Sequence, residues 1–188
     1  MIKKYLNYKT FVFDCDGVIL NSNQLKTDAF YQVALPFGKQ AATDFVRYHT
    51  ENGGISRYKK FAHFLKHIAP PTKHTLTLET LLNQYAQHVT DGLLNCEVAA
   101  GLEELRALTP NSRWLIVSGG DQNELRKVFS QRGLADLFDG GIFGSPDTKD
   151  EILAREIANH NIQHPALFFG DSKYDYQAAT TAGLDFFY

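Results

Sequence analysis

Cysteine is scarce in this chain. Its 188 residues include two, Cys15 and Cys96, far apart and with no CxxC or paired spacing, which argues against a disulfide scaffold or a thiolate zinc site and suits a reducing cytoplasm. An excess of charge of one sign is also missing. With 19 basic and 21 acidic residues the formal charge is -2, so nothing electrostatic points to nucleic acid or a membrane surface as a partner, and neither is expected. Long hydrophobic runs are absent: no segment reaches bilayer-spanning length, and Met1-Ile2-Lys3-Lys4-Tyr5-Leu6-Asn7 has a little positive charge without the apolar stretch of a signal peptide. Internal repeats and low-complexity tracts are lacking too. What remains is 44% hydrophobic, enough for a substantial core in one domain, or one domain with a sizeable insertion.

Two textures divide the chain. Short apolar runs ending in Gly, Asp or Ser occur at Thr10 to Phe13, Trp114 to Val117, Gly141 to Phe143 and Ala166 to Phe169; they predict buried parallel strands. Helical patterns follow at about Leu102 to Leu108, Asn123 to Gln131, Asp150 to Asn159 and Asp175 to Ala182. This alternation predicts an α/β fold with a doubly wound, mostly parallel sheet. From about Asn21 to Asn95 the pattern is amphipathic helix without strand, broken at Pro36-Phe37-Gly38, Gly53-Gly54 and Pro70-Pro71. We therefore expect a core of residues 1–20 and 97–188 and an all-helical cap of residues 21–96 inserted after the first strand. The insertion has eight basic and five acidic residues, a net +3 against -5 elsewhere. A basic cap over an acidic core suits an anionic substrate held above a cation, although ordinary scatter of surface charge gives the same count.

The chemistry starts where the first strand ends. Asp14-Cys15-Asp16-Gly17-Val18 sets two carboxylates beyond the carboxyl end of a buried strand, where open α/β sheets bind ligands. Like charges so close need a cation or a shared proton, and Gly17 lets the backbone turn towards a ligand; an Asp and Gly turn after a strand is the plainer reading. Ser118-Gly119-Gly120, after the second strand, offers a hydroxyl and backbone N–H groups to phosphate oxygens, or simply starts the next helix. Lys149 stands near a helix amino end, which disfavours a cation by some tenths of a kcal/mol and so invites an anion in the crevice. Gly170-Asp171-Ser172-Lys173-Tyr174-Asp175 places two more carboxylates past a strand. Asp171 as an N-cap and Asp175 as a solvated residue of the first turn would account for them equally well.

Taken in order, these segments resemble the four motifs of the haloacid dehalogenase-like hydrolase superfamily: Asp14 to Val18, Ser118, Lys149, and Gly170 to Asp175 followed by Gln177 to Gly183. The resemblance covers essentially the whole chain, and the insertion resembles the mobile cap of phosphoglycolate phosphatases and β-phosphoglucomutases. It implies a Mg²⁺-dependent phosphatase acting on a small phosphorylated metabolite, a sugar or sugar-acid phosphate. Asp14 would attack phosphorus. Asp16 would protonate the leaving oxygen and then deprotonate water. The metal set implied is Asp14, Asp16 through its carbonyl, Asp171 and Asp175, while Ser118, Gly119 and Lys149 would cradle the phosphate. An acid at the Asp16 position favours phosphate esters over dehalogenation. A phosphomutase uses the same pair and is the nearest alternative; a receiver-type signalling domain gathers similar groups but has no use for the insertion.

Other features are assigned to structure. His63 and His67 lack a third metal ligand and read as a solvated helix face. The aromatics Phe30, Tyr31, Phe45, Tyr48, Phe61 and Phe64 read as packing of a small bundle, and Cys15 is expected to point away from the metal. The cap is expected to hinge near Leu20-Asn21-Ser22 and Asn95-Cys96-Glu97-Val98. Within it, Ser56 is expected to cap a helix beginning near Arg57. The surrounding segment resembles the β-phosphoglucomutase cap loop, where an arginine after Val-Ser grips the non-reacting end of the substrate; Arg57 is the candidate substrate reader, with a solvated surface arginine as the alternative.

Overall fold

The computed structural model describes residues 7–70 and 76–188. The charged start at Met1 to Leu6 and the second proline of the Pro70-Pro71 break lie outside the described residues. Five strands form one parallel sheet in the order β3-β2-β1-β4-β5: β1 (Thr10–Phe13), β2 (Arg113–Asp121), β3 (Gly141–Ser145), β4 (Ala166–Phe169) and β5 (Asp185–Phe187). The helices α5 (Leu102–Leu108), α6 (Gln122–Gln131), α7 (Lys149–Ala158) and α8 (Lys173–Thr181) connect them. This is the expected α/β doubly wound core. β1 is central and wholly buried because its alternate residues pack on opposite faces. Phe11 and Phe13 join one apolar cluster with Trp114, while Val12 joins another with Leu115, Val117 and Phe168.

Between β1 and α5 come α1 (Asn23–Ala34), α2 (Lys39–Glu51), α3 (Arg57–His63), continued by a π turn over Phe64–Ile68, and α4 (Leu78–Asn95). They form the helical cap. Its centre is aromatic: Phe30, Phe45, Phe61 and Phe64 are buried, with the Phe45 ring 5.2 Å from Phe30 and 4.5 Å from Phe64. These residues belong to the same continuous apolar cluster as Phe11 and Phe13. Two chain crossings join cap to sheet, and they run side by side. Asn21 N–H donates to the Glu97 carbonyl and Ala99 N–H to the Ile19 carbonyl, each at 2.9 Å. Arg132, just after α6, donates to the carbonyls of Leu93 at 2.8 Å and Cys96 at 2.6 Å, satisfying groups that the end of α4 leaves without helical partners. None of the described helices is long and apolar enough to cross a membrane.

Candidate active site

Asp14 follows the last residue of β1, and its N–H donates to the Phe169 carbonyl at 2.9 Å, which ties this turn to β4. The side chain is 3% exposed. Asp14 Oδ1 forms an ion pair with Lys149 Nζ at 3.0 Å, yet the geometry makes no hydrogen bond, and this oxygen is the one buried side-chain polar atom without a hydrogen-bond partner among the described residues. Lys149 bonds Asp175, the third residue of α8, whose other oxygen accepts the Ser172 N–H at 3.0 Å and hydroxyl at 2.7 Å. Ser172, not Asp171, therefore caps α8, and Asp175 is buried rather than solvated. Oxygens of Asp14, Asp171 and Asp175 lie within 4.8 Å of one another. Burial pushes the Asp14 carboxyl up to about 7, with Lys149 opposing and Asp175 and Asp16 adding to the rise. Burial also raises Asp171, against a 2.9 Å hydrogen bond from Asn23. An orphaned buried oxygen within an all-carboxylate set fits a hard divalent cation such as Mg²⁺.

The side chain of Asp16 turns away from this group. One oxygen accepts the Ser22 hydroxyl and the other the Lys26 ammonium, both at 2.6 Å. Burial raises its pKa, but the charge and hydrogen bond of Lys26 with the Ser22 bond outweigh that and hold it below the usual range. Gly17 takes φ +77°, and a Cβ there would meet Asp171 and Asn23, so the turn that follows Asp16 requires glycine. Cys15 is buried in the apolar cluster, and burial drives its thiol well above the ordinary value; it points away from the carboxylates, as expected.

A cavity of about 630 Å³ opens over these groups, floored by Asp14, Asp16, Asp171, Gly119 and Gly120 and roofed by cap residues. Ser118 is not among the lining residues. Fully buried, its Oγ accepts the Gly120 N–H at 3.1 Å, and the helix that follows is capped by Asp121 instead. Lys149 lines a smaller adjoining pocket with Ser145 and Thr148. Its place at the first position of α7 is offset by the flanking carboxylates of Asp14 and Asp175, which hold its ammonium charged against the effect of burial.

Arg57 begins α3 behind Ser56, which occupies the N-cap position without a side-chain bond. It is buried, not a solvated surface arginine. Its guanidinium fork grips Glu124 of α6 at 2.6 and 3.0 Å and lies 5.0 Å over the Tyr85 ring. Beside it the Tyr58 hydroxyl donates to Asp121 at 2.6 Å. The cap is seated: a Cβ on Gly119 would collide with the Gly54 carbonyl. His63 stacks on Tyr48 with ring centres 3.8 Å apart. Sequence reasoning passed over Lys26, His49, Lys60 and Glu124. A signal for the lysines was present, since Lys26 shares a helical stripe with Ala29, Phe30 and Val33, and Lys60 shares one with Arg57, Phe61 and Phe64.

Comparison with known proteins agrees with this architecture. No curated protein matches the chain. Among solved structures it is similar to a predicted phosphoglycolate phosphatase from Haemophilus somnus, at 18% identity and a TM-score of 0.73 over 95% of this chain and 84% of that one. A β-phosphoglucomutase from Clostridium difficile gives 20% identity and 0.72 over 95% and 83%. A predicted phosphatase from Clostridium acetobutylicum gives 18% and 0.68 over 95% and 83%. At these identities the likeness is one of fold. The family model of haloacid dehalogenase-like hydrolases matches residues 8–183, and with it the chain belongs to that hydrolase family.

Proposed function

We propose that this protein is a phosphatase that moves the phosphoryl group of a small phosphate monoester to Asp14 and then to water. The observation that supports this most is the buried Asp14 Oδ1 at the mouth of a central strand, among carboxylates and ion-paired with Lys149 but without a well-formed hydrogen bond. Asp14, Asp171 and Asp175 are the side chains that would hold Mg²⁺, which supplies charge neutralisation for the phosphoryl oxygens and for the crowded acids. Lys149 holds Asp14 in place and adds positive charge beside the transferring group.

In the first step Asp14 attacks phosphorus; the bond to the leaving oxygen breaks, and that oxygen takes a proton from Asp16. In the second, Asp16 accepts a proton from water as the water oxygen bonds to phosphorus and Asp14 is released. Ser22 and Lys26 keep Asp16 ionised, the state required for the second step. The first step requires a protonated Asp16, so substrate entry must loosen its bond to Lys26. Arg57, engaged by Glu124, serves in this arrangement to seat the cap.

A predicted phosphoglycolate phosphatase and a β-phosphoglucomutase both share the fold, and the seated cap over an Asp14 that is 3% exposed supports a mutase as the second reading. A screen over a panel of phosphorylated metabolites with and without Mg²⁺ tests the proposal. Metal-dependent release of inorganic phosphate is expected; isomerised sugar phosphate without release favours the mutase, and no turnover of any monoester refutes both.

A further inference from the structure

The three carboxylates suited to Mg²⁺ are not held equally. Asp175 is buried and fully engaged: one oxygen meets Lys149, and the other accepts the Ser172 N–H at 3.0 Å and hydroxyl at 2.7 Å. Asp14 is tied through its own N–H to the Phe169 carbonyl and through Oδ1 to Lys149. Both are fixed from within the core. Asp171 is different. It stands in the bend between β4 and α8 and is only half-buried. Among the described residues, the one hydrogen bond to its side chain comes from Asn23, whose Nδ2 donates to Oδ2 at 2.9 Å.

Asn23 belongs to the cap. It is the first residue of α1, just beyond the crossing at which the Asn21 N–H meets the Glu97 carbonyl, and it lies 148 residues from Asp171 in the chain. Lys26, on the same helix face one turn later, holds Asp16 at 2.6 Å. The loop beneath makes room for the Asn23 contact, because a Cβ on Gly17 would run into both of its atoms, Asp171 Oδ2 and Asn23 Nδ2. This bond does little for the fold. Asn23 is exposed to the cavity it lines, and water replaces most of what an exposed amide gains from a hydrogen bond. What the bond fixes is a direction. An ionised carboxylate has several lone pairs, and with one engaged by Asn23 the rotation of the Asp171 side chain is set while others remain for a cation beside Asp14 and Asp175.

We infer that Asn23 is a positioning residue of the metal site: acting through Asp171, it aims the carboxylate that the core leaves loosest, so that Mg²⁺ is gripped from the cap as well as from the sheet. The inference rests on the reading of Asp14, Asp171 and Asp175 as the Mg²⁺ ligands of the proposed phosphatase.

Calorimetric titration of the full chain with Mg²⁺ alone, with and without Asn23→Ala, tests it. Asn23→Ala should weaken Mg²⁺ binding about tenfold, and should raise by a similar factor the Mg²⁺ concentration that half-saturates phosphate release. Its melting temperature without metal should stay within about 2 °C of the parent's, which separates positioning from a structural role. Gln24→Ala, one position along the same turn and bonded only to Asp28, should leave Mg²⁺ affinity unchanged. An Asn23→Ala variant that binds Mg²⁺ as tightly as the parent, an equal loss in Gln24→Ala, or a loss that comes with a lowered metal-free melting temperature overturns the inference. The underlying reading is judged on the parent. If the unaltered chain binds no Mg²⁺, the metal reading falls and takes the inference with it. Mg²⁺ binding without phosphate release from any monoester refutes the phosphatase, and the affinity comparison still decides the role of Asn23.

Discussion

Replacing Glu124 with Ala should unseat the cap. Arg57 and Glu124 lie 67 residues apart in the chain and meet across the cleft at 2.6 and 3.0 Å, with side chains 7% and 12% exposed. Removing one partner of so buried a pair, with the cap still seated, strands a guanidinium at a cost of about 3–5 kcal/mol. The cap has a cheaper alternative. Among the polar contacts across the cleft, lifting off returns Arg57 to water and gives up the Tyr58–Asp121 hydrogen bond, worth about 1–3 kcal/mol with a charged acceptor. On these polar contacts alone the balance shifts towards lifting by on the order of 2 kcal/mol, which lowers the seated population by at most roughly 30-fold. Hydrogen exchange resolved by peptide should therefore quicken over Gly53 to Tyr58 and the start of α6, while β1 and β2 keep their protection. A pair of spin labels, one on α2 and one on α8, should report a longer and broader distance. Glu124→Gln, which keeps an acceptor but no charge, should fall between. Unchanged exchange and label distance in Glu124→Ala would show that this ion pair does not hold the cap, and the energetic reasoning would fail with it.

Asp14→Asn should remove activity by several powers of ten while preserving the fold, because it deletes the attacking oxygen without changing size; near-normal turnover that still depends on metal would refute covalent transfer. Lys60→Met should raise the melting temperature most at and below neutral pH. Burial lowers the Lys60 pKa from 10.5 to about 7, so the folded state loses stability as pH falls from 10.5 towards 7; the variant's advantage, on the order of 4 kcal/mol at pH 7, should fade near pH 10, and a pH-independent difference would contradict it. Gly119→Ala should raise KM several-fold through its Cβ against the Gly54 carbonyl, and unchanged kinetics would mean that the cap does not seat there during turnover.

Much of this was legible in the residues alone. The apolar runs at Thr10 to Phe13 and Ala166 to Phe169 became β1 and β4, and the pattern from Leu102 to Leu108 became α5, because periodicity records which faces are buried and that signal is local. The inserted helices and the acidic turn after β1 were legible for the same reason. β5 was not: three residues, with both ends exposed, carry too little pattern. Partners were decided by the tertiary structure. Asp14, Lys149 and Asp175 come from separate strand ends and helix starts, and nothing local states that Lys149 would sit between two carboxylates. Ser118 turned inward onto Gly120, Arg57 closed on Glu124, and Lys60 was buried without a carboxylate. A sequence lists the charges; which of them cancel depends on how each helix is rotated against the sheet and across the cleft, and that is settled only when the layers pack.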